Sequence, residues 1–83
     1  MVTERTIEFN TGTIWKTLID YDSATVQYIG EAEPGTLTSV AKWRIKKITS
    51  DGTGKVVSIE WADGNNKMTK EWDERKTGTY TYS

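Results

Sequence analysis

The sequence predicts a single small all-β domain, a sandwich or barrel that contains a C-terminal three-stranded antiparallel meander. Three observations predict it. Thr is the commonest residue, with 14 copies, joined by four Trp and four Tyr, whereas Leu occurs only at positions 18 and 37. Thr and aromatic residues suit a pleated, half-buried surface, and a helical chain would carry more Leu and Ala. Apolar and polar residues alternate with period two in several short runs. Clusters of turn-forming residues, several of them built on the seven Gly, separate those runs.

The second half is the more legible. Lys42-Trp43-Arg44-Ile45-Lys46 alternates basic and apolar residues and continues through Lys47 and Ile48. Ser50-Asp51-Gly52-Thr53-Gly54 is a turn cluster, Lys55-Val56-Val57-Ser58-Ile59-Glu60-Trp61 a second strand, and Lys67-Met68-Thr69-Lys70-Glu71-Trp72 a third. Between the last two stands Asp63-Gly64, the signature of a two-residue type I′ hairpin. With that loop, and with residues 50 to 54 as a five-residue loop, Trp43 faces Trp61, Ile45 faces Ile59, Arg44 faces Glu60 and Glu60 faces Lys67. Trp43, Ile45, Val57, Ile59, Trp61, Met68 and Trp72 then share an apolar face, and the charges meet their opposites on the other.

In the first half, Thr6-Ile7-Glu8-Phe9 and Thr25-Val26-Gln27-Tyr28-Ile29-Gly30 read as strands. Thr13 to Ile19 fits a strand or a short helix, and Asp20-Tyr21-Asp22-Ser23 ends it. Glu31 to Val40, with Pro34-Gly35, is the longest connection, and Thr79-Tyr80-Thr81-Tyr82 alternates as a short last strand. Nothing divides residues 1–83 into two domains.

Composition excludes several chemistries. The chain has no Cys and no His, which removes disulfides, thiolate metal sites, the commonest metal ligand and the commonest general base. Eleven basic residues against twelve acidic ones leave a net charge of -1, without the basic surplus that nucleic-acid binding calls for. No run is apolar enough for a membrane span, and the polar start has no leader-like core. A domain of this size has a modest core and gains stability from neighbours.

The remaining constellations have plainer readings. Trp43, Trp61 and Trp72 read as core, whereas Trp15 fits core or interface equally. Lys42, Arg44, Lys46 and Lys47 read as a solvated strand face balanced by Glu60 and Glu71. Asp20, Asp22, Glu31 and Glu33 lack the loop spacing of a calcium hand, and no carboxylate pair is placed for glycosidic cleavage. Asp51-Gly52-Thr53-Gly54 lacks the Lys-Ser/Thr of a phosphate loop. No catalytic, cofactor-binding or metal-ligating residue is expected. The candidate partner-binding residues are Ile7, Phe9, Trp15, Glu31, Glu33, Pro34, Thr36 and Leu37, on the N-terminal segment and on the long loop, where contacts tend to concentrate.

Tyr28-Ile29-Gly30-Glu31-Ala32-Glu33-Pro34-Gly35-Thr36, Thr38-Ser39, Ala41-Lys42-Trp43-Arg44-Ile45-Lys46-Lys47-Ile48, Ile59-Glu60-Trp61-Ala62-Asp63-Gly64-Asn65 and Trp72-Asp73-Glu74-Arg75 together resemble small β proteins encoded by tailed phages and prophages. The resemblance covers about residues 28 to 82, and residues 1–27 lie outside it, free to be specific to a partner. It implies a non-enzymatic virion component, a capsid decoration or a tail or fibre protein, made in the bacterial host cytoplasm and bound to other virion proteins or to itself. Two alternatives remain at this stage: a carbohydrate-binding module for host attachment, and a small inhibitor of a host protein.

Overall fold

The computed structural model describes residues 14–83. Four strands, β1 (Lys16–Tyr21), β2 (Val26–Ala32), β3 (Arg44–Ser50) and β4 (Val56–Trp61), form one antiparallel meander in the order β1-β2-β3-β4. The all-β class is borne out. The sheet is open and does not close into a barrel, and the described residues form no second sheet. The expected strand at Thr6–Phe9 lies outside the described residues. The segment expected as strand or short helix resolves as β1, and β2 matches its expected position.

The expected C-terminal meander is corrected. Residues 67–72 form no strand; Lys70 makes only an isolated bridge to Trp43. The tail likewise contributes one bridge, Tyr82 to Ala62, rather than a strand. On β4, Trp61 pairs with Lys46, Glu60 with Lys47 and Ile59 with Ile48. The expected Trp43–Trp61 and Glu60–Lys67 pairs are therefore absent. The cause is local. The hairpin closes through Asp51 N–H to the Lys55 carbonyl at 2.8 Å, and Gly54, at φ 89°, supplies the left-handed residue of a three-residue loop. Asp51 Oδ1 fixes it by accepting from Thr53 N–H at 2.8 Å and Lys55 N–H at 3.1 Å. A bulge between Thr49 and Ser50 then shifts the register once more. The total displacement is odd, so β4 turns its side chains over relative to β3.

The core follows from this register. One face of the sheet carries Leu18, Tyr28, Gly30, Ala32, Trp43, Ile45 and Ala62, and the C-terminal segment folds across it. Trp72, in a single 3-10 turn (Trp72–Glu74), lies on Gly30 and beside Trp43, with ring centroids 6.1 Å apart. Gly30 is required here: a Cβ would stand 2.7 Å from Cζ3 of Trp72 and 3.2 Å from Trp43. Tyr82 meets Tyr28 edge-on at 5.4 Å. Its hydroxyl donates to the Arg75 carbonyl at 2.9 Å, while the Tyr80 hydroxyl accepts from Glu71 N–H at 2.7 Å. Ion pairs anchor this segment to β1 and the turn after it, with Arg75 3.0 Å from Asp20 and Lys76 2.8 Å from Asp22. Trp43, Ile45 and Trp72 are buried as expected and Met68 packs against them. Val57, Ile59 and Trp61 are not in this core: the turned-over β4 places them on the opposite face.

Candidate interaction surface

The second face of the sheet carries apolar residues along two of its rows, and the C-terminal segment leaves it uncovered. Cross-strand partners share a face, so the register defines its rows. One row runs Tyr21, Gln27, Ile48, Ile59, and the next runs Ile19, Ile29, Lys46, Trp61. A third contains Thr17, Glu31 and Arg44. Val57 extends the apolar surface along β4. Ile19, Tyr21, Val57 and Ile59 are 51%, 72%, 62% and 54% exposed. Single exposed apolar residues are ordinary, but these stand on the two edge strands of one face with Ile29 and Ile48 between them, which makes that face a candidate contact surface.

Charge on this face is sparse and held in place. Arg44 Nε donates to Glu31 Oε1 at 2.7 Å, and the Arg44 guanidinium also lies 4.9 Å from the centre of the Trp15 ring. Lys46 extends over Trp61, its ammonium 5.4 Å from the ring. The basic cluster read from the sequence is thus divided. Arg44 and Lys46 belong to the open face, whereas Lys47 pairs with Glu60 on the core side of the sheet.

The long loop after β2 is held from below and exposed above. The buried Trp43 indole N–H donates to the Leu37 carbonyl at 2.9 Å, and Asp73 N–H donates to the Thr38 carbonyl at 3.1 Å. Gly35 turns the chain at φ 89°, and Thr36 N–H closes that turn on the Glu33 carbonyl at 3.2 Å. The Leu37 side chain, with its backbone so fixed, points outward at 69% exposure. Glu33, Thr36, Lys42 and Met68 line a shallow open depression beside it.

The candidate residues fall into two groups. Trp15 and Glu31 meet on the open face, both through Arg44. Glu33, Pro34 and Leu37 are exposed on the loop, and Thr36 is half-buried there. Ile7 and Phe9 lie outside the described residues. Sequence reasoning did not find Ile19, Tyr21, Ile29, Ile48 or Ile59 as surface candidates. Two signals for them were present: apolar residues at both parities of β2, and the break in alternation at Lys46-Lys47.

Titration adds one feature. The Arg75 hydrogen bond, opposed by partial burial and aided by Lys76, holds the Asp20 carboxyl below the usual carboxylate range. Burial beside Tyr28 and Tyr80 pushes the Tyr82 phenol well above its ordinary value. Both groups lie on the core side and fasten the C-terminal segment, away from the open face.

Among the described residues no group of three or more acidic side chains is arranged for a metal ion, and no helix is long and apolar enough to cross a membrane. Comparison with protein-family models, curated proteins and solved structures finds no match.

Proposed function

We propose that this protein is a non-enzymatic component of a phage particle, a capsid decoration or a tail or fibre protein, that binds other virion proteins. The observation that carries the reading is the asymmetry of the sheet. The chain covers one face with its own C-terminal segment and presents Ile19, Tyr21, Val57 and Ile59 on the other. A sheet hydrophobic on both faces requires a layer on each. A partner layer about 10 Å away would complete the sandwich that the sequence pattern implies. The exposed loop at Glu33, Pro34 and Leu37 supplies a second contact. The resemblance of residues 28 to 82 to phage-encoded β proteins supports the particle as the setting.

The test is the protein content of purified particles of the phage that encodes it. The proposal expects the chain there in a fixed ratio to a capsid or tail protein, retained through density-gradient purification. Its absence from the particles would overturn the proposal.

One observation favours a second reading, a carbohydrate-binding surface. Trp15, Tyr21 and Trp61 share the open face with the hydrogen-bonding groups of Glu31 and Arg44. Flat aromatics with flanking polar groups suit the faces and hydroxyls of a sugar. A soluble host-surface saccharide that shields Trp fluorescence from quencher would support it.

A further inference from the structure

The strands of the open face carry more positive charge than they neutralise. We infer that the partner docking there presents a carboxylate to Lys46, set in an otherwise apolar surface, and that it is a different protein rather than a second copy of this chain. The inference rests on reading this face as the docking surface, and it names the chemistry of what docks.

Within the four strands the face holds three charges: Glu31, Arg44 and Lys46. Glu31 and Arg44 neutralise each other. Arg44 Nε donates to Glu31 Oε1 at 2.7 Å, and the Trp15 ring lies 4.9 Å from the same guanidinium. A pair of this kind brings its own counter-charge into an interface. Lys46 does not. Among the described residues no carboxylate lies within ion-pair distance of it. Its ammonium stands 5.4 Å from the centre of the Trp61 ring. That platform is fixed, because Trp61 N–H donates to the Ser83 carbonyl at 3.0 Å and the Trp61 carbonyl accepts from Ser83 N–H at 3.2 Å. The ring attracts the cation, but it does not replace the acceptors that an ammonium with three donors loses on leaving water.

The position of Lys46 makes that loss unavoidable on docking. It shares a row with Ile19, Ile29 and Trp61, and the next row holds Tyr21, Gln27, Ile48 and Ile59. A layer seated on Ile29, Ile48 and Ile59 therefore reaches Lys46 as well and takes its ammonium out of water. A charge so placed needs an opposite one beside it. A second copy cannot supply it from these strands. Its one strand carboxylate on this face, Glu31, is held by its own Arg44. Face-to-face pairing of two copies would also add two cations to the same interface, which like charges disfavour.

Competition between the wild-type chain and position-46 variants for incorporation into particles tests the inference, with the urea midpoint confirming that each variant is folded. Lys46→Met keeps an apolar stem over Trp61 and removes the charge, and Lys46→Arg keeps the charge. Lys46→Met should enter particles at least about tenfold less than wild type, because it leaves the partner's carboxylate buried and unpaired. Lys46→Arg should recover most of that loss, a rescue that a merely structural role for the side chain would not give. Incorporation of Lys46→Met at or above the wild-type level would overturn the inference, since the partner would then be apolar opposite Lys46. Self-association of the particle-free chain in sedimentation equilibrium, strengthened by Lys46→Met, would also overturn it, in favour of a second copy. Neither result bears on whether the wild-type chain is present in particles, so failure here is distinguishable from failure of the proposed function.

Discussion

Replacing Trp72 with Ala and Trp61 with Ala should have very different costs, and the difference measures the register directly. Trp72 keeps 6% of its surface and is packed on Gly30 and Trp43. An indole of about 250 Å² so placed buries about 235 Å², worth up to about 6 kcal/mol at about 25 cal/mol per Å². Area accounting of this kind gives an upper bound, and measured core truncations of Trp cost about 3–5 kcal/mol. A domain of 83 residues has a total stability of about 4–12 kcal/mol. Trp72→Ala should therefore leave the domain marginal or unfolded. Trp61 sits half-exposed on the open face, where truncation loses a partial contact and the Lys46 interaction. The expected loss there is about 1 kcal/mol. Urea denaturation followed by far-ultraviolet circular dichroism gives both values. Trp72→Phe, which keeps a ring over Gly30, should recover more than half of the loss and provides a folded reference. If Trp61→Ala proves as costly as Trp72→Ala, Trp61 is a core residue and the observed register is wrong.

Two further outcomes follow from the core side of the sheet. Gly30→Ala should destabilise by about 1–3 kcal/mol, because the added methyl meets the Trp72 ring, with a lower urea midpoint as the readout. Asp20, held below the ordinary carboxylate value of about 3.9 chiefly by its Arg75 hydrogen bond, contributes stability above that value and loses it as pH falls through the lower folded-state value. Asp20→Asn should accordingly be less stable than the wild type at pH 7 and lose less between neutral pH and about pH 3, as followed by thermal melts across that range.

The legible and illegible parts of this fold have identifiable physical causes. Asp63-Gly64 was readable because a type I′ turn needs two residues at positive φ, and both have it, at 55° and 71°. The partner of the strand entering that turn was not readable. Trp61 exchanges hydrogen bonds with Ser83, and Asp63 N–H donates to the Thr81 carbonyl, contacts that no local pattern announces. The register of β3 on β4 failed because a three-residue loop and a bulge leave nearly the same composition as a five-residue loop. An odd slip then reverses every β4 side chain. Trp43 and Ile45 remained core because Gly30 and Ala32 of β2 make room on their side, and Trp72 fills it.

The candidate surface was legible in the same uneven way. Trp15, Glu31 and the Pro34–Leu37 turn stood out as residues without a core role. The apolar rows did not, because alternation assigns one face to the core and assumes that the other is polar. In β1 and β2 both faces carry apolar residues: Leu18 against Ile19, and Tyr28 against Ile29. Periodicity alone cannot say which is covered. The C-terminal segment decides it by packing Trp72 and Tyr82 onto the Tyr28 side.

The open face is the centre of the functional account, and Ile59→Lys probes it most directly. Ile59 is 54% exposed, so the charge can remain in water and the fold should lose no more than about 0.5 kcal/mol, checked by its urea midpoint. The decisive measurement is incorporation of this variant into particles in competition with the wild-type chain, scored by mass spectrometry of the purified particles. Wild type should be retained and Ile59→Lys excluded, because a lysine placed within the docked face adds a charge that a dry interface would bury unpaired. Incorporation of a folded Ile59→Lys chain at the wild-type level would contradict the claim that the protein docks through this face.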